Sequence, residues 1–386
     1  MYKDYEDIRP YIDTEVSPAL NRIADNENLR KISSYLFPGK DGDYFKNLLL
    51  TCDTVESFQQ KVMLTILNKI FSDTSKSISY TGLENIAKDK AYLYVSNHRD
   101  ITLDSAILQV IFHKNGYPTS EIAVGDNLIT SGFIEDLARC NKMIKVIRST
   151  SPKEVYTTSQ VLSNYIRHKV STNESSVWIA QRNGRTKDGY DMTEQGLVKM
   201  FDMSGSGDFV KDFEELSIVP ITVSYEFEPC DLLKTVEIYI SRRKKYVKAK
   251  NEDLNSILTG VMQFKGGINI SLNAPLTRED IESVSHLVKN EKYAALAALI
   301  DKRIVPNFKL WPNNFIAYDM QTKGNKYASR YKEADKSAFE SYMRFKLSDV
   351  EGDREELEDI FLSIYANPIF NIERLENNEG ISILNK

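Results

Sequence analysis

His98 is followed within six residues by two carboxylates, Asp100 and Asp104. A histidine with an acid beside it is a general base with an orienting partner, since the acid fixes the tautomer and steadies the imidazolium that forms. Further along, Trp178–Gly189 (WIAQRNGRTKDG) sets Arg182, Arg185 and Lys187 around Gly184. The forked donors of arginine suit phosphate oxygens, and glycine lets the backbone come close to a ligand. Asn141–Ser149 (NKMIKVIRS) brings Lys142 and Lys145 and ends near Arg148, a second source of positive charge. Judged singly, each has a plain structural reading: a histidine at a strand end, a solvated turn, and a basic sheet edge. Ile218–Tyr225 (IVPITVSY) names no chemistry, but its Pro220 marks a strand edge, a strand start or a bulge.

These residues need elements to hold them. Tyr92-Leu93-Tyr94-Val95 is aromatic and β-branched and reads as a buried strand. Leu103, Ala106, Ile107 and Val110 recur at helical spacing, which sets His98 where a strand gives way to a helix. In open α/β sheets that edge is where ligands bind. Strands are expected at 78–80, 91–95, 121–124, 144–147, 176–180, 218–225 and 236–240. Helical patterns near 102–114, 130–140, 152–168 and 191–202 separate most of them. This alternation predicts an α/β fold with a mostly parallel central sheet flanked by helices. Helical patterns over 17–37 and 44–71 make residues 1–77 a helical N-terminal extension. The sheet-bearing domain is expected over 78–275, and 276–386 reads as a helical C-terminal region.

Composition narrows the class. A chain of 386 residues can bury a large core, and a net charge of -5 argues against a dedicated nucleic-acid binder. Three scattered cysteines and four histidines imply neither a disulfide framework nor a metal site, and they fit a reducing cytoplasm. The first sixteen residues are acidic and do not read as a secretory signal, and no apolar run is long enough to span a bilayer. The expected location is the cytoplasm, with membrane contact from the inner surface. Ser241–Lys250 (SRRKKYVKAK) holds six basic residues, and reads either as a solvated loop or as a contact for anionic lipid. Phe308–Asp319 reads as a packed connector or as part of an acyl groove.

The order of the segments resembles the glycerolipid acyltransferase superfamily, of the lysophosphatidate and glycerol-3-phosphate acyltransferase type, and especially a longer soluble bacterial subgroup. That family carries an Asn-His-x4-Asp block, a basic block ending in Arg, a Glu-Gly-x-Arg-type block and a Val-Pro block. Here they stand as Asn97-His98…Asp104, Lys145…Arg148, Asn183-Gly184-Arg185 and Val219-Pro220, within roughly half the chain. The resemblance implies transfer of a fatty acyl group from an acyl-CoA or acyl-carrier-protein thioester to a hydroxyl of a phosphate-bearing glycerol or lysolipid acceptor, with no further cofactor. His98 and Asp104 would be catalytic. Asn97, Arg148, Asn183, Gly184, Arg185 and Lys187 would bind substrate, and Val219 and Pro220 would complete the motif.

Two departures stand out. Five residues separate His98 from Asp104, where the family has four; a six-residue helical step would turn the acid about 240° away, so the loop before the helix must absorb the extra residue. Asp104 is favoured and Asp100 is the other candidate. Asn183 replaces the family's Glu, and so brings no negative charge. A thioester hydrolase using water, or a lipid-binding relative without turnover, are the alternatives.

Overall fold

Seven strands form one sheet in the order β1-β7-β6-β2-β5-β3-β4 in a computed structural model that describes residues 5–377 apart from 28, 131 and 289. They are β1 (Ser75–Thr81), β2 (Leu93–Ser96), β3 (Glu121–Gly125), β4 (Met143–Val146), β5 (Val177–Ala180), β6 (Ile218–Tyr225) and β7 (Gly266–Leu272). The run β6-β2-β5-β3-β4 is parallel throughout. β7 is antiparallel to β6 and carries β1 parallel to itself, so the sheet is mostly parallel with a reversed edge. All five parallel strands therefore open at the same edge.

Alternation along each strand divides the core. Leu93, Val95, Val177 and Ile179 point to one face, under the helices Pro152–Ser171, Gln195–Asp202 and Glu291–Ile304. Tyr92, Tyr94 and Trp178 point to the other, against Leu64–Thr74 and Leu103–Lys114. This is the two-residue period of a pleated strand covered on both sides. The helices of residues 13–74 share an apolar cluster with Gly132–Cys140, and the helices Pro312–Gln321, Glu333–Leu347 and Arg354–Glu376 form a cluster of their own. Phe308–Asp319 is thus a packed connector that runs into a buried helix. Among the described residues no helix is long and apolar enough to cross a membrane.

Two sequence expectations are corrected. Residues 236–240 belong to the helix Asp231–Ser241, not to a strand. Its buried positions Asp231, Lys234 and Thr235 are polar and sit at i, i+3 and i+4, so the inward face is the polar one and the apolar periodicity is inverted. Conversely β7 (GGINISL) is a strand that the expected set leaves out. Its polar residues are satisfied across the sheet: Asn269 Nδ2 donates to Ser79 Oγ at 3.0 Å, and Thr81 Oγ1 donates to Ser271 Oγ at 3.2 Å. Gly267 is required there, since a Cβ would lie 2.3 Å from the Trp311 ring.

Pro220 is not at an edge, because β6 lies between β7 and β2. The β6–β7 ladder begins only at Ile221, so the proline's missing donor falls just past its end. The Pro220 carbonyl there accepts from Asn273 N at 3.0 Å.

Candidate active site

β2 delivers the chain to the open edge, and residues 97–102 form a loop before the helix Leu103–Lys114. That loop absorbs the extra residue of the His–Asp spacing. Asp104 stands in the first turn of the helix, where the helix dipole favours a carboxylate. Its Oδ2 lies 2.9 Å from His98 Nδ1 and accepts the backbone N–H groups of Arg99 (2.6 Å) and Asp100 (2.9 Å). Its Oδ1 accepts the Tyr225 hydroxyl at 2.8 Å. Because a carboxylate only accepts, the imidazole proton sits on Nδ1 and the lone pair on Nε2. Nε2 has no hydrogen-bond partner among the described residues, and the ring is partly exposed with its other side against Trp178, centroids 5.9 Å apart. Burial and the Asp104 charge hold the Tyr225 hydroxyl well above its ordinary value, so it stays protonated and donates.

Asp100 does different work. Its Oδ1 accepts from Thr102 N at 2.9 Å and Leu103 N at 2.8 Å, closing the turn into the helix. Its Oδ2 is buried without a hydrogen-bond partner among the described residues, beside Gly260. The Asp100 charge acts on the buried Lys265 ammonium, which donates to Thr74 Oγ1 at 2.9 Å, and burial lowers that lysine to about 8 despite the carboxylate.

Arg99 is fully buried between Asp191 (2.6 Å) and Glu228 (3.4 Å), and Lys234 bridges Glu228 (2.6 Å) to the Arg99 carbonyl (2.8 Å). Burial opposes the Arg99 charge, but the two carboxylates outweigh it and hold the guanidinium above its ordinary value. Removing one partner of such a buried set costs about 3–5 kcal/mol, because the other charge is left uncompensated. The helix Arg354–Glu376 reaches the same network, as Tyr365 donates to Asp231 at 2.8 Å and accepts from Glu228 N at 3.1 Å.

Asn97 is buried and fully engaged. Its Oδ1 accepts from Val223 N at 2.7 Å, and its Nδ2 donates to the Val223 carbonyl and to Asp191. Its side chain fastens β2 to β6 and to the 181–194 loop, and does not face the open edge. The loop after β5 comes beside His98, where Thr186 N donates to the His98 carbonyl at 2.8 Å. Arg185 is mostly buried, with Nη1 unpartnered among the described residues, and lies against the Cys230 thiol, which burial pushes up. Gly184 takes φ +76 with open space around it. Asn183 is exposed at the loop tip. Lys187 is paired to Glu237; burial, then Arg185, lowers its pKa.

Arg148 follows β4 and lies over Gly125 of β3. β4 is three strands from β2, about 14 Å at about 4.8 Å per strand. Arg148 therefore stands well away from His98 along the same edge. Lys145 is occupied by Glu135. Among the described residues no group of three or more His, Cys, Asp or Glu is placed to hold a metal ion.

Sequence reasoning missed Tyr225, Arg99, Asp191, Glu228 and Lys234. Tyr225 and Arg99 lie inside or beside the quoted motifs, but their partners come from 92 to 129 positions away, and no local spacing marks them.

No curated protein matches the chain. Among solved structures it is similar to the 1-acyl-sn-glycerophosphate (LPA) acyltransferase PlsC from Thermotoga maritima, at 12% identity over 74% of this chain and 90% of that one, with a TM-score of 0.39. Residues 77–224 match the acyltransferase family, a stretch that runs from β1 into β6 and takes in all four blocks. By that match this stretch of the chain is similar to the acyltransferase family.

Proposed function

We propose that this acyltransferase moves a fatty acyl group from a thioester, carried on coenzyme A or an acyl-carrier protein, to a hydroxyl of a phosphate-bearing glycerol or lysolipid acceptor. His98 Nε2 takes the hydroxyl proton as the oxygen attacks the thioester carbonyl, and the thiolate leaves with that proton. Asp104 holds the Nδ1 proton and offsets the imidazolium charge. The observation that carries this reading is the imidazole with Nδ1 committed to a buried carboxylate and Nε2 left open.

Arg185 is the phosphate ligand, since its unpartnered Nη1 lies one strand from His98. Lys187 adds charge beside it, Gly184 and Asn183 shape the loop, and Arg148 takes the distal end of the acceptor. Asn97 supports the site through the backbone. Tyr225 is a positioning residue acting through Asp104.

General base catalysis contributes about 10²–10⁴-fold, so His98→Ala should lower kcat by that factor with the fold intact. A variant with near-normal transfer removes His98 from the role. Arg185→Ala should raise KM for the acceptor far more than for the thioester; the opposite pattern assigns the arginine to the donor.

A further inference from the structure

The helix Glu252–Met262 leaves an apolar side uncovered next to the site. Ser256 and Gly260 face inward and are buried, Gly260 so tightly that a Cβ would come 2.0 Å from Asp100 Oδ2. At the helix start, Asp253 accepts from Asn127 in the turn after β3 at 3.0 Å. The helix thus lies along the carboxyl edge of the sheet, beside the His98 loop. Its outer side carries Leu254, Leu258 and Met262, spaced by four and so in one row about 12 Å long. They are 50%, 49% and 58% exposed, and Val247 (79%) and Phe264 (45%) are exposed in the segments before and after the helix.

Charge flanks this row. In Ser241–Lys250, Arg242 and Arg243 pair with Glu356, and Lys248 pairs with Asp253. Lys244, Lys245 and Lys250 are exposed and have no ion-pair partner among the described residues. An amphipathic helix with a bare apolar row and uncompensated lysines beside it has the composition of an interfacial helix.

We propose that this helix and the loop before it dock the enzyme on an anionic phospholipid bilayer, with the apolar row in the interface and the three lysines on headgroup phosphates. The proposal rests on the acyltransferase reading, because docking here sets the mouth of the His98 site at the surface from which lipid-like substrates arrive. The row carries no polar side chain to direct hydrogen bonds to a folded partner, and a bilayer asks only for apolar area and opposite charge.

Flotation of the full chain with phosphatidylcholine vesicles, with and without phosphatidylglycerol, tests it. Wild type should float with the anionic vesicles only. Replacing Lys244, Lys245 and Lys250 together by Ala should weaken partition about 100-fold, at about fivefold per cation. Leu258→Asp with Met262→Asp should abolish it, with an unchanged far-UV spectrum and Tm and wild-type transfer to a short-chain, water-soluble acceptor. Wild type that fails to float with anionic vesicles, or either variant floating like wild type, overturns the proposal. So does a wild-type dimer that the double Asp variant splits, which would make the patch a contact between copies. Selective loss of transfer from a carrier-protein donor with flotation intact overturns it in favour of a protein partner. Wild type that floats as expected but transfers no acyl group supports the docking surface and refutes the acyltransferase reading instead.

Discussion

Replacing Asp104 by Asn separates the charge of that side chain from its shape. Oδ2 accepts three donors and Oδ1 one, from Tyr225. An asparagine can keep this arrangement, with its carbonyl oxygen toward His98, Arg99 and Asp100 and its amide donating to a Tyr225 hydroxyl turned to accept. The fold should therefore survive, with Tm lowered by a few degrees. The lost charge stands 2.9 Å from the imidazole, and Coulomb's law at an effective dielectric of about 20 gives about 6 kcal/mol, or about 10⁴-fold. The whole of general base catalysis is worth about 10²–10⁴-fold, so the loss cannot exceed what deleting His98 itself costs. The expected fall in kcat is thus within that range and toward its upper end, with KM for both substrates little changed. Steady-state acyl transfer, followed by release of free thiol, measures it. Asp100→Asn is the comparison, since Asp100 makes no contact with the imidazole and an amide oxygen can still close the turn on Thr102 and Leu103. An Asp104→Asn enzyme within tenfold of wild type, or an Asp100→Asn enzyme that loses more, refutes the assignment.

Three other perturbations have definite outcomes. Tyr225→Phe leaves Asp104 Oδ1 buried without a donor, at a cost of about 1–3 kcal/mol in stability, and kcat should fall while the KM values hold; an unchanged unfolding midpoint contradicts the contact. Gly260→Ala drives a Cβ against an Asp100 carboxylate already fixed through its other oxygen, so overpacking of about 1–3 kcal/mol should lower Tm and activity together, and a neutral substitution contradicts that packing. Burial raises Asp301 from 3.8 to about 7, so between those values the folded chain keeps a proton that the unfolded chain has lost. Stability then falls as pH rises through that window, by about 1.4 kcal/mol per unit. Asp301→Asn, whose amide oxygen can still accept from Thr193, should gain on wild type in urea unfolding at pH 8 relative to pH 5; an equal difference at both contradicts the shift.

Much of this arrangement is legible in the chain because it depends on local pattern. The strands over 93–96, 177–180 and 218–225 are apolar runs that stay buried on both sides of a mostly parallel sheet, and His98 follows the first by two residues. The partner of His98 was not decidable by spacing, because it turns on where the helix begins, and Asp100 sets that start through its own turn. The helix Asp231–Ser241 hides for an opposite reason. Its buried face is made polar by Lys234 and Asp231, which serve the ion network and the tyrosines of the C-terminal helices. That network joins residues brought together only by the fold, as Arg99 to Asp191 and Glu228 shows. Buried charge of this kind leaves no periodic trace in a sequence.

The most direct test is an acyl-transfer assay on the purified chain that crosses coenzyme A and carrier-protein thioesters with glycerol 3-phosphate, lysophosphatidate and acceptors without phosphate. The expected result is an ester product, identified by mass, that forms only when a thioester and a phosphate-bearing hydroxyl acceptor are both present, and whose formation His98→Ala slows by about 10²–10⁴-fold. Free fatty acid released at the same rate with or without acceptor would contradict it and make His98 the base of a hydrolase.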